Sequence, residues 1–393
     1  MMNNQFSLWP SYSLEEADAV HEVVLSNKVN YWTGNECREF EKEFAIWSNT
    51  QYSVALGNGT QALDVAFKAL GISNGDEVIV TSRSFIASIS SIINAGAIPI
   101  FADVDLSSQN ITPGSVRSVI TCKTKAIVCV HLAGWPCEMD EMMDLANEFD
   151  LFVIEDCAQA HGAKYKDMSV GSIGHIGCWS FCQDKIMTTG GEGGMVTTND
   201  KYLWRKMWEY KDHGKSYEAT YEREHPEGFG FKWLYESFGT NFRMTEMQAV
   251  IGRIQIKRMN NWHKKRITNA KSIWLSAKQC KGLRVPIIPD YIEHAAYKCY
   301  VFIDSKELKD DWSRDKVIKE INALGVPCYS GSCPEVYLEK AFDQSRFSPK
   351  ERLPNAKELG EMSLMFLVHP TLTKEEIQKT CDTIKLVMGL ASI

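Results

Sequence analysis

The stretch "SVALGNGTQALDVAF", residues 53–67, combines an apolar run, a glycine-rich turn and the beginning of a helical pattern. The apolar residues 54–56 are typical of a buried strand, Gly57 and Gly59 indicate a tight turn, and the apolar residues that follow recur at helical spacing. A strand, a glycine turn and a helix in this order leave backbone N–H groups free at the start of the helix, where proteins bind phosphate. The stretch therefore predicts a phosphate site on an α/β fold.

A dinucleotide is one ligand that this glycine pattern fits, but its binding site needs a further residue. Dinucleotide-binding folds carry an acid at the end of the next strand, where it holds the ribose hydroxyls. Asp76 and Glu77 stand at the beginning of the next predicted strand, which ends in "SRSF", residues 82–85. The missing acid disfavours a nicotinamide cofactor, and we expect the turn to bind a different phosphate.

Strand-like and helix-like runs alternate between residues 52 and 200. The predicted strands cover residues 52–56, 77–81, 98–103, 125–131, 151–155, 177–181 and 193–198, and the predicted helices cover 60–70, 86–95, 112–120 and 138–149. This alternation predicts a mostly parallel sheet with helices on both faces. Ligands bind such sheets beyond the carboxyl ends of the strands, where Thr60, Phe85, Asp156 and Lys185 follow predicted strands.

The second half of the chain has a different pattern. Aromatic residues are concentrated between residues 201 and 250, and a long helical stretch follows from Thr245, a predicted N-cap, to about Cys280. A strand at 297–303, a helix near 314–324 and a last helix from residue 375 are typical of a small α+β domain. We expect a large domain over residues 1–250 and a small C-terminal domain over 251–393.

Composition excludes several functional classes. The 393 residues carry a net charge of −7, which disfavours nucleic acid or an anionic membrane as the main partner. Twelve cysteines without a CxxC pair are typical of reduced, buried thiols in the cytoplasm. No signal peptide is indicated, and the charge-free stretch at 84–102 contains serines, a glycine and a proline that suit a buried helix and strand better than a membrane span.

Two further stretches supply reactive side chains. "VIEDCAQAHGA", residues 153–163, places Asp156 at the end of a strand, and "WSFCQDKIMTTGGEGGMV", residues 179–196, contains Ser180 and Lys185. Each alone fits a structural role, such as a cap or a surface lysine. Together with Thr60 they provide phosphate ligands, a carboxylate for a pyridine nitrogen and an amine that forms a Schiff base. This combination indicates pyridoxal phosphate.

From about residue 8 to 385 the chain resembles the pyridoxal-phosphate-dependent sugar aminotransferases of the DegT/DnrJ/EryC/StrS family. The resemblance rests on the order and spacing of "NGTQALDVA", "EVIVTSRSFIAS", "IPIFADVD", "HLAGWPCEMD", "EDCAQAHGA", "SFCQDK…TTGGEGG" and "TNFRMTEMQAVIG". It implies the fold-type-I architecture, in which a large α/β domain with a mostly parallel, seven-stranded sheet precedes a smaller α+β domain.

The resemblance also implies a role for each matching residue. Lys185 would bind the cofactor covalently and act in catalysis, Asp156 would pair with the pyridine nitrogen, and Gln159 would lie near the 3'-oxygen. Phe85 would stack on the pyridine ring. The phosphate would be bound by Thr60, the backbone amide of Gln61, and Ser180.

Asn241 and Arg243 are the residues that the resemblance connects with the partner chain and with the amino donor. In the family the residue matching Asn241 reaches across a dimer interface to the partner's phosphate, so the resemblance implies a homodimer. Arg243 is a candidate for binding the carboxylate of the donor, L-glutamate, and a structural ion pair is its alternative role. Because dehydratases of the family carry histidine in place of Lys185, the resemblance favours transamination.

The acceptor implied is a keto or aldehyde sugar, and two kinds remain open. Most relatives act on nucleotide-linked 4-keto-6-deoxyhexoses. "SNKVNYWTGNECREFEKEFA", "VTSRSFIAS" and "HLAGWPCEMDEM" are more similar to a branch that aminates carbon 8 of a 3-deoxy-octulosonate, a free sugar acid used in lipopolysaccharide. Arg83 is a candidate for binding the carboxylate of that substrate, with a surface arginine as the alternative.

Other functions are disfavoured. A ligand-sensing regulator on the same fold would not need the intact Lys185, Asp156 and Gln159. The set His175, Cys178 and Cys182 has metal-ligand residue types, but no second ligand pair accompanies it, and we expect no metal. Cys182 and the loop "YSGSCPEVY", residues 329–337, depart from a family pattern that often has histidine there.

Overall fold

The computed structural model describes residues 6–226, 228, 230 and 232–393. The α-helices are α1 (Leu14–Leu25), α2 (Glu36–Trp47), α3 (Gly59–Ala69), α4 (Ala87–Asn94), α5 (Pro113–Arg117), α6 (Met139–Phe149), α7 (Lys201–Lys211), α8 (Tyr217–Tyr221), α9 (Glu246–Ile256), α10 (Met259–Ala277), α11 (Arg314–Ala323), α12 (Pro354–Met362) and α13 (Lys374–Ala391). Short 3-10 helices cover Leu132–Gly134, Ser305–Glu307, Val336–Leu338 and Lys340–Phe342.

The strands form three sheets. They are β1 (Tyr52–Leu56), β2 (Glu77–Thr81), β3 (Ile98–Ala102), β4 (Thr124–Val130), β5 (Phe152–Asp156), β6 (Lys164–Tyr165), β7 (Met168–Ser169), β8 (Ile176–Ser180), β9 (Gly194–Thr198), β10 (Leu283–Arg284), β11 (Ile292–Glu293), β12 (Cys299–Ile303), β13 (Cys328–Tyr329) and β14 (Ser363–Phe366). The seven-stranded sheet has the order β1-β9-β8-β5-β4-β2-β3. Strand β9 is antiparallel to β1 and β8, and the pairs from β8 to β3 are parallel. The predicted mostly parallel sheet is confirmed.

Alternate residues of the central strands pack on opposite faces of this sheet. In β4, Val128 belongs to the hydrophobic cluster that contains Phe67 of α3, whereas Ile127 belongs to the cluster that contains Met142 of α6. Because helices cover both faces, β8 and β9 are buried along their whole length, and their sequences consist of apolar or small residues. This packing brings the carboxyl ends of β1, β2, β5 and β8 to one edge of the sheet.

The C-terminal part of the chain has its own sheet and core. The antiparallel order β10-β12-β14-β13 packs with α10, α11 and α13. Ile273, Val301, Phe366 and Ile384 lie in a hydrophobic cluster separate from those of the large sheet. The domain boundary near residue 250 stays a prediction: α9 packs against α1 and α2, and α10 packs against α13.

The helical stretch predicted from Thr245 to Cys280 is two helices. Thr245 is the N-cap, with a capping box to Gln248, as predicted. However, α9 ends at Ile256 and α10 begins at Met259. Lys257 and Arg258 at the break keep right-handed helical dihedral angles, so the helical spacing of apolar residues continues across it. Among the described residues, no helix is both long enough and apolar enough to cross a membrane.

Candidate active site

A cavity of about 650 Å³ lies at the carboxyl edge of the large sheet. It is lined by all the predicted cofactor-binding residues except Asn241: Thr60, Gln61, Phe85, Asp156, Gln159, Ser180 and Lys185. These residues come from the start of α3, the loop after β2, and the ends of β5 and β8 with the loops that follow them. Their meeting point follows from the strand order, because these strands end at the same edge.

The start of α3 forms one end of this cavity. Asn58 caps the helix, and its Oδ1 accepts a hydrogen bond from the backbone N–H of Gln61 at 2.9 Å. The cap engages the Gln61 amide, so the predicted phosphate contact of that group stays a prediction. The N–H groups of Gly59 and Thr60 belong to the same first turn, which has no intrahelical acceptors. Together with the positive end of the helix dipole, they suit a phosphate.

Gly59 permits this end of the cavity to form. A Cβ atom at Gly59 would lie 2.5 Å from the Cβ of Ser180, which is too close for any larger residue without movement. The absence of a side chain therefore allows the turn after β1 to contact the end of β8. The contact places Ser180, which is 8% exposed, beside the first turn of α3.

Asp156, which also lines the cavity, is held in a defined orientation. Its carboxylate accepts hydrogen bonds from Ser88 Oγ at 2.8 Å and from the Ala158 N–H at 3.2 Å. The residue is only 6% exposed, and a buried carboxylate is stabilised by a nearby positive charge. A protonated pyridine nitrogen would provide that charge. Ser88 was not found by sequence reasoning, because a serine within a helix carries no functional signal.

Gln159 and Phe85 suit the two remaining contacts of a pyridine ring. The carboxamide oxygen of Gln159 accepts a hydrogen bond from the Ala133 N–H at 2.9 Å, which leaves its NH₂ group as a donor for a phenolate oxygen. Phe85 is 67% exposed, although residues 82–84 before it are buried. An aromatic ring presented in this way is able to stack on another ring.

Lys185 lies beside three groups that orient it. Its Nζ is 3.6 Å from Asp184 Oδ1 and 5.2 Å from the centre of the Tyr297 ring. The Trp9 indole N–H donates to the backbone oxygen of Lys185 at 2.8 Å. Tyr297 donates its O–H to Asp184, and burial together with this carboxylate holds the pKa of Tyr297 well above its usual value. Trp9 and Tyr297 were missed by sequence reasoning, since neither lies in a motif.

The predicted substrate residue Arg243 does not line the cavity. Its Nη1 forms an ion pair with Asp212 Oδ1 at 2.6 Å, and its side chain is 15% exposed. The ion pair that was the alternative role of Arg243 is therefore present. Asn241 is exposed and also lies outside the cavity of its own chain.

Arg83 is fully buried, and both predictions made for it are wrong. Its Nη2 donates to Gln109 Oε1 at 2.9 Å and to Ser363 Oγ at 3.0 Å, and its Nε donates to the same Gln109 oxygen. A side chain with no exposed surface neither contacts a substrate nor lies on the protein surface. Instead, Arg83 joins the loop after β2 to β14 of the small sheet.

The three residues with metal-ligand side chains each have a separate partner. His175 Nδ1 accepts from the Val153 N–H, Cys178 Sγ donates to the Ala62 oxygen, and Cys182 Sγ lies 3.8 Å from Glu192. Within the described ranges, the one group of three possible ligands is His131, Glu155 and Cys157. The Glu155 oxygens already accept hydrogen bonds from His131 and from three backbone N–H groups.

Comparison with known proteins agrees with this geometry. Residues 10–385 match the model of the DegT/DnrJ/EryC1/StrS aminotransferase family. GDP-perosamine synthase of Escherichia coli O157:H7 is 34% identical over 382 residues, which cover 95% of this chain and 96% of the relative. An aminotransferase from Psychrobacter cryohalolentis, with a solved structure, is 63% identical with a TM-score of 0.96, covering 98% and 99% of the two chains. DesV of S. venezuelae, solved in complex with a ketimine intermediate, is 28% identical with a TM-score of 0.85 over 95% and 94% of the chains.

The chain belongs to the DegT/DnrJ/EryC1/StrS aminotransferase family. It is a pyridoxal-phosphate-dependent aminotransferase with the fold-type-I architecture, as predicted. The cavity fits this cofactor: it combines a helix N-terminus for the phosphate, a buried carboxylate, an exposed aromatic ring and a lysine.

Proposed function

We propose that the enzyme transfers the amino group of L-glutamate to a keto or aldehyde sugar used in lipopolysaccharide or another surface polysaccharide. The main support is the position of Lys185 between two adjoining cavities. It lines the cofactor cavity and a second cavity of about 650 Å³, which also contacts Tyr297 and the loop at residues 329–333. The second cavity has the volume of a site for a small molecule. A substrate bound there would meet the cofactor at Lys185.

The residues of the cofactor cavity have separate tasks in this reaction. When bound, pyridoxal phosphate supplies an electron sink that stabilises negative charge on the carbon carrying the amino group. Asp156 keeps the pyridine nitrogen protonated, and the start of α3 with Ser180 holds the phosphate. Lys185 binds the cofactor covalently and, when released from it, moves the proton at the substrate carbon through Nζ. Asp184 and the Trp9 contact orient Lys185.

For the acceptor we propose 3,8-dideoxy-8-oxo-manno-octulosonate, which would become the 8-amino sugar. The support is the similarity of the three stretches quoted above to the octulosonate branch. The alternative, a nucleotide-linked 4-keto-6-deoxyhexose, is favoured by relatives with names such as GDP-perosamine synthase and dTDP-3-amino-3,6-dideoxy-alpha-D-galactopyranose transaminase.

We also propose that the enzyme is a cytoplasmic homodimer. Asn241 is exposed and lies outside the cavity of its own chain, which leaves it available to contact the cofactor of a partner chain.

The acceptor is tested by the second half-reaction. Glutamate first converts the cofactor of the purified enzyme to its amine form, and each candidate sugar is then added. We expect the 8-oxo octulosonate to restore the yellow absorbance of the lysine-bound cofactor within one turnover. Restoration by GDP- or dTDP-linked 4-keto hexoses alone would show that the alternative is right. Wild-type enzyme that glutamate does not convert would contradict the proposed donor.

Asp156→Asn is expected to lower kcat/KM by about 10²–10³-fold. Asparagine keeps the shape of the side chain and one of the two oxygens that accept from Ser88 and Ala158, but it removes the charge that keeps the pyridine nitrogen protonated. Steady-state kinetics with glutamate measures the effect. Asp64→Asn is the matched control, because Asp64 lines the same cavity and its pKa is raised by burial. Equal losses in both variants would contradict the role of Asp156.

A further inference from the structure

A third cavity, of about 300 Å³, adjoins the proposed substrate cavity at Tyr297. The two cavities share Tyr297 and Lys298 as lining residues, so they lie side by side at these side chains. The N-terminal segment, residues 6–9, forms one wall of the third cavity. This segment is held by hydrogen bonds from Ser7 to Glu376 and from Thr371 to the Leu8 oxygen.

Arg266, on α10, brings a buried guanidinium to this third cavity, where it lies 5.0 Å from the centre of the Trp9 ring but has unpaired N–H groups. It is only 1% exposed, and its Nη1 donates one long hydrogen bond, 3.4 Å, to the backbone oxygen of Tyr297. Its Nε and Nη2 have no hydrogen-bond partner in the part of the chain that the structure describes. Burial lowers the pKa of Arg266 to about 9. A buried guanidinium with unpaired N–H groups is costly unless an acceptor binds it.

A second cation lies in the same cavity. Burial lowers the pKa of Lys298 to about 8. The charges of Arg266 and Lys185 lower this pKa further, and the nearby Asp184 raises it. His369 carries no charge at neutral pH, because burial and the charges of Arg266 and Lys298 lower its pKa to about 3. Asp184 is the one acid among the described residues of the lining, and it already accepts the Tyr297 O–H. The cavity therefore has an excess of positive charge, which an anion would neutralise.

Lys185 and Lys298 both lie against the ring of Tyr297, so one small substrate can contact both. Nζ of Lys185 and Nζ of Lys298 lie 5.2 Å and 4.8 Å from the centre of the same Tyr297 ring, so they are at most 10.0 Å apart. In an octulosonate the reacting carbon 8 and the carboxylate lie at opposite ends of the carbon chain. A substrate with carbon 8 at Lys185 would place its carboxylate towards Lys298 and Arg266.

We propose that Arg266 and Lys298 form a carboxylate subsite for the acceptor, which selects a free sugar acid. The inference rests on the proposed aminotransfer to a sugar acid and adds the residues that recognise the acid. A guanidinium and an ammonium together donate charge-assisted hydrogen bonds to both carboxylate oxygens. Arg83, the arginine that the sequence suggested for this task, is buried elsewhere. The carboxylate of glutamate is the other source of the same chemistry, and the test separates the two.

The test measures binding and the two half-reactions with the holoenzyme. The probe is 3-deoxy-octulosonate, which carries the carboxylate but lacks the reactive 8-oxo group, and calorimetry reports its Kd. Lys298→Met is expected to weaken binding at least about tenfold, since a charge-assisted hydrogen bond to a carboxylate is lost. The KM of the 8-oxo sugar should rise by a similar factor, and the KM of glutamate by a smaller one.

Two further variants make the test decisive. Arg266→Met should weaken binding as much, and a melting curve shows whether this buried position still folds. Lys265→Met is the matched control, because Lys265 precedes Arg266 on α10, is exposed and does not line the cavity. It removes the same charge and should leave the Kd unchanged.

The outcomes separate the subsite from the function on which it rests. The subsite is overturned if the wild type does not bind the acid, or if Lys298→Met and Lys265→Met bind it equally. A larger effect on glutamate than on the acid assigns the cations to the donor and also overturns it. Binding that depends on Lys298, without amination of the 8-oxo sugar, supports the subsite and contradicts the proposed acceptor.

Discussion

Lys185→Ala is expected to lower the transamination rate by at least about 10⁴-fold, the upper range for a positioned proton-transfer group, because the same side chain also binds the cofactor. Lys185 borders both the cofactor cavity and the proposed substrate cavity. No other lysine lines the cofactor cavity among the residues described there. Single-turnover kinetics with glutamate measures the loss, and the yellow absorbance of lysine-bound cofactor should disappear as well.

A second substitution distinguishes this chemistry from a structural role of the lysine. Lys185→Arg keeps a positive charge beside Asp184 and leaves the backbone oxygen that accepts the Trp9 hydrogen bond. Arginine does not deprotonate in proteins, so it replaces neither the covalent bond nor the proton transfer. We expect equal losses in the two variants. Substantial activity in Lys185→Arg would contradict the catalytic assignment.

Glu155→Ala is expected to lower the free energy of unfolding by about 3–5 kcal/mol, the usual effect of breaking a buried pair. Glu155 has no exposed surface, and it accepts hydrogen bonds from His131 and from the N–H groups of Gly171, Ile173 and Gly174. Alanine would leave all four donors without an acceptor in the interior. Urea unfolding of the wild type and the variant measures the difference.

Glu293→Ala is the control for this effect. Glu293 is a partly exposed acid that pairs with Lys164 at 3.1 Å, and exposed pairs contribute at most about 1 kcal/mol. The urea concentration at which the Glu293→Ala variant unfolds should therefore differ little from that of the wild type. If Glu155→Ala moves the transition no further than Glu293→Ala, the buried network does not stabilise the fold in the way that its geometry indicates.

Much of the large sheet could be predicted because its signals are local. The predicted strands 52–56 and 77–81 coincide with β1 and β2, and the other predicted strands of the large sheet differ from the observed ones by one residue at one or both ends. Buried strands and amphipathic helices depend on the spacing of apolar residues within one segment. The prediction of one helix from Thr245 was wrong for the same reason. The spacing of apolar residues continues across residues 257–258, so it gives no sign that one helix ends and another begins there.

The residues around Lys185 were less predictable because they come from distant parts of the chain. Trp9 is 176 residues away from Lys185 in sequence, and Tyr297 is brought to the site by the C-terminal sheet region. Neither residue has a motif around it. Arg83 shows the opposite case: its position after β2 suggested a substrate contact, but packing against Gln109 and Ser363 buries it.

The neighbours Glu155 and Asp156 show what each level determines. The sequence by itself predicts that Glu155 ends a buried strand and that Asp156 follows it directly, and alternation along a strand points such neighbours to opposite faces. It likewise determines the glycine turn at residues 57–59 and the lysine that indicated the cofactor. Only the tertiary structure decides that Asp156 lines the cavity while Glu155 binds His131 and the loop at residues 171–174. The reason is physical: spacing along a strand defines its two faces, but the elements packed against each face determine what that face contacts.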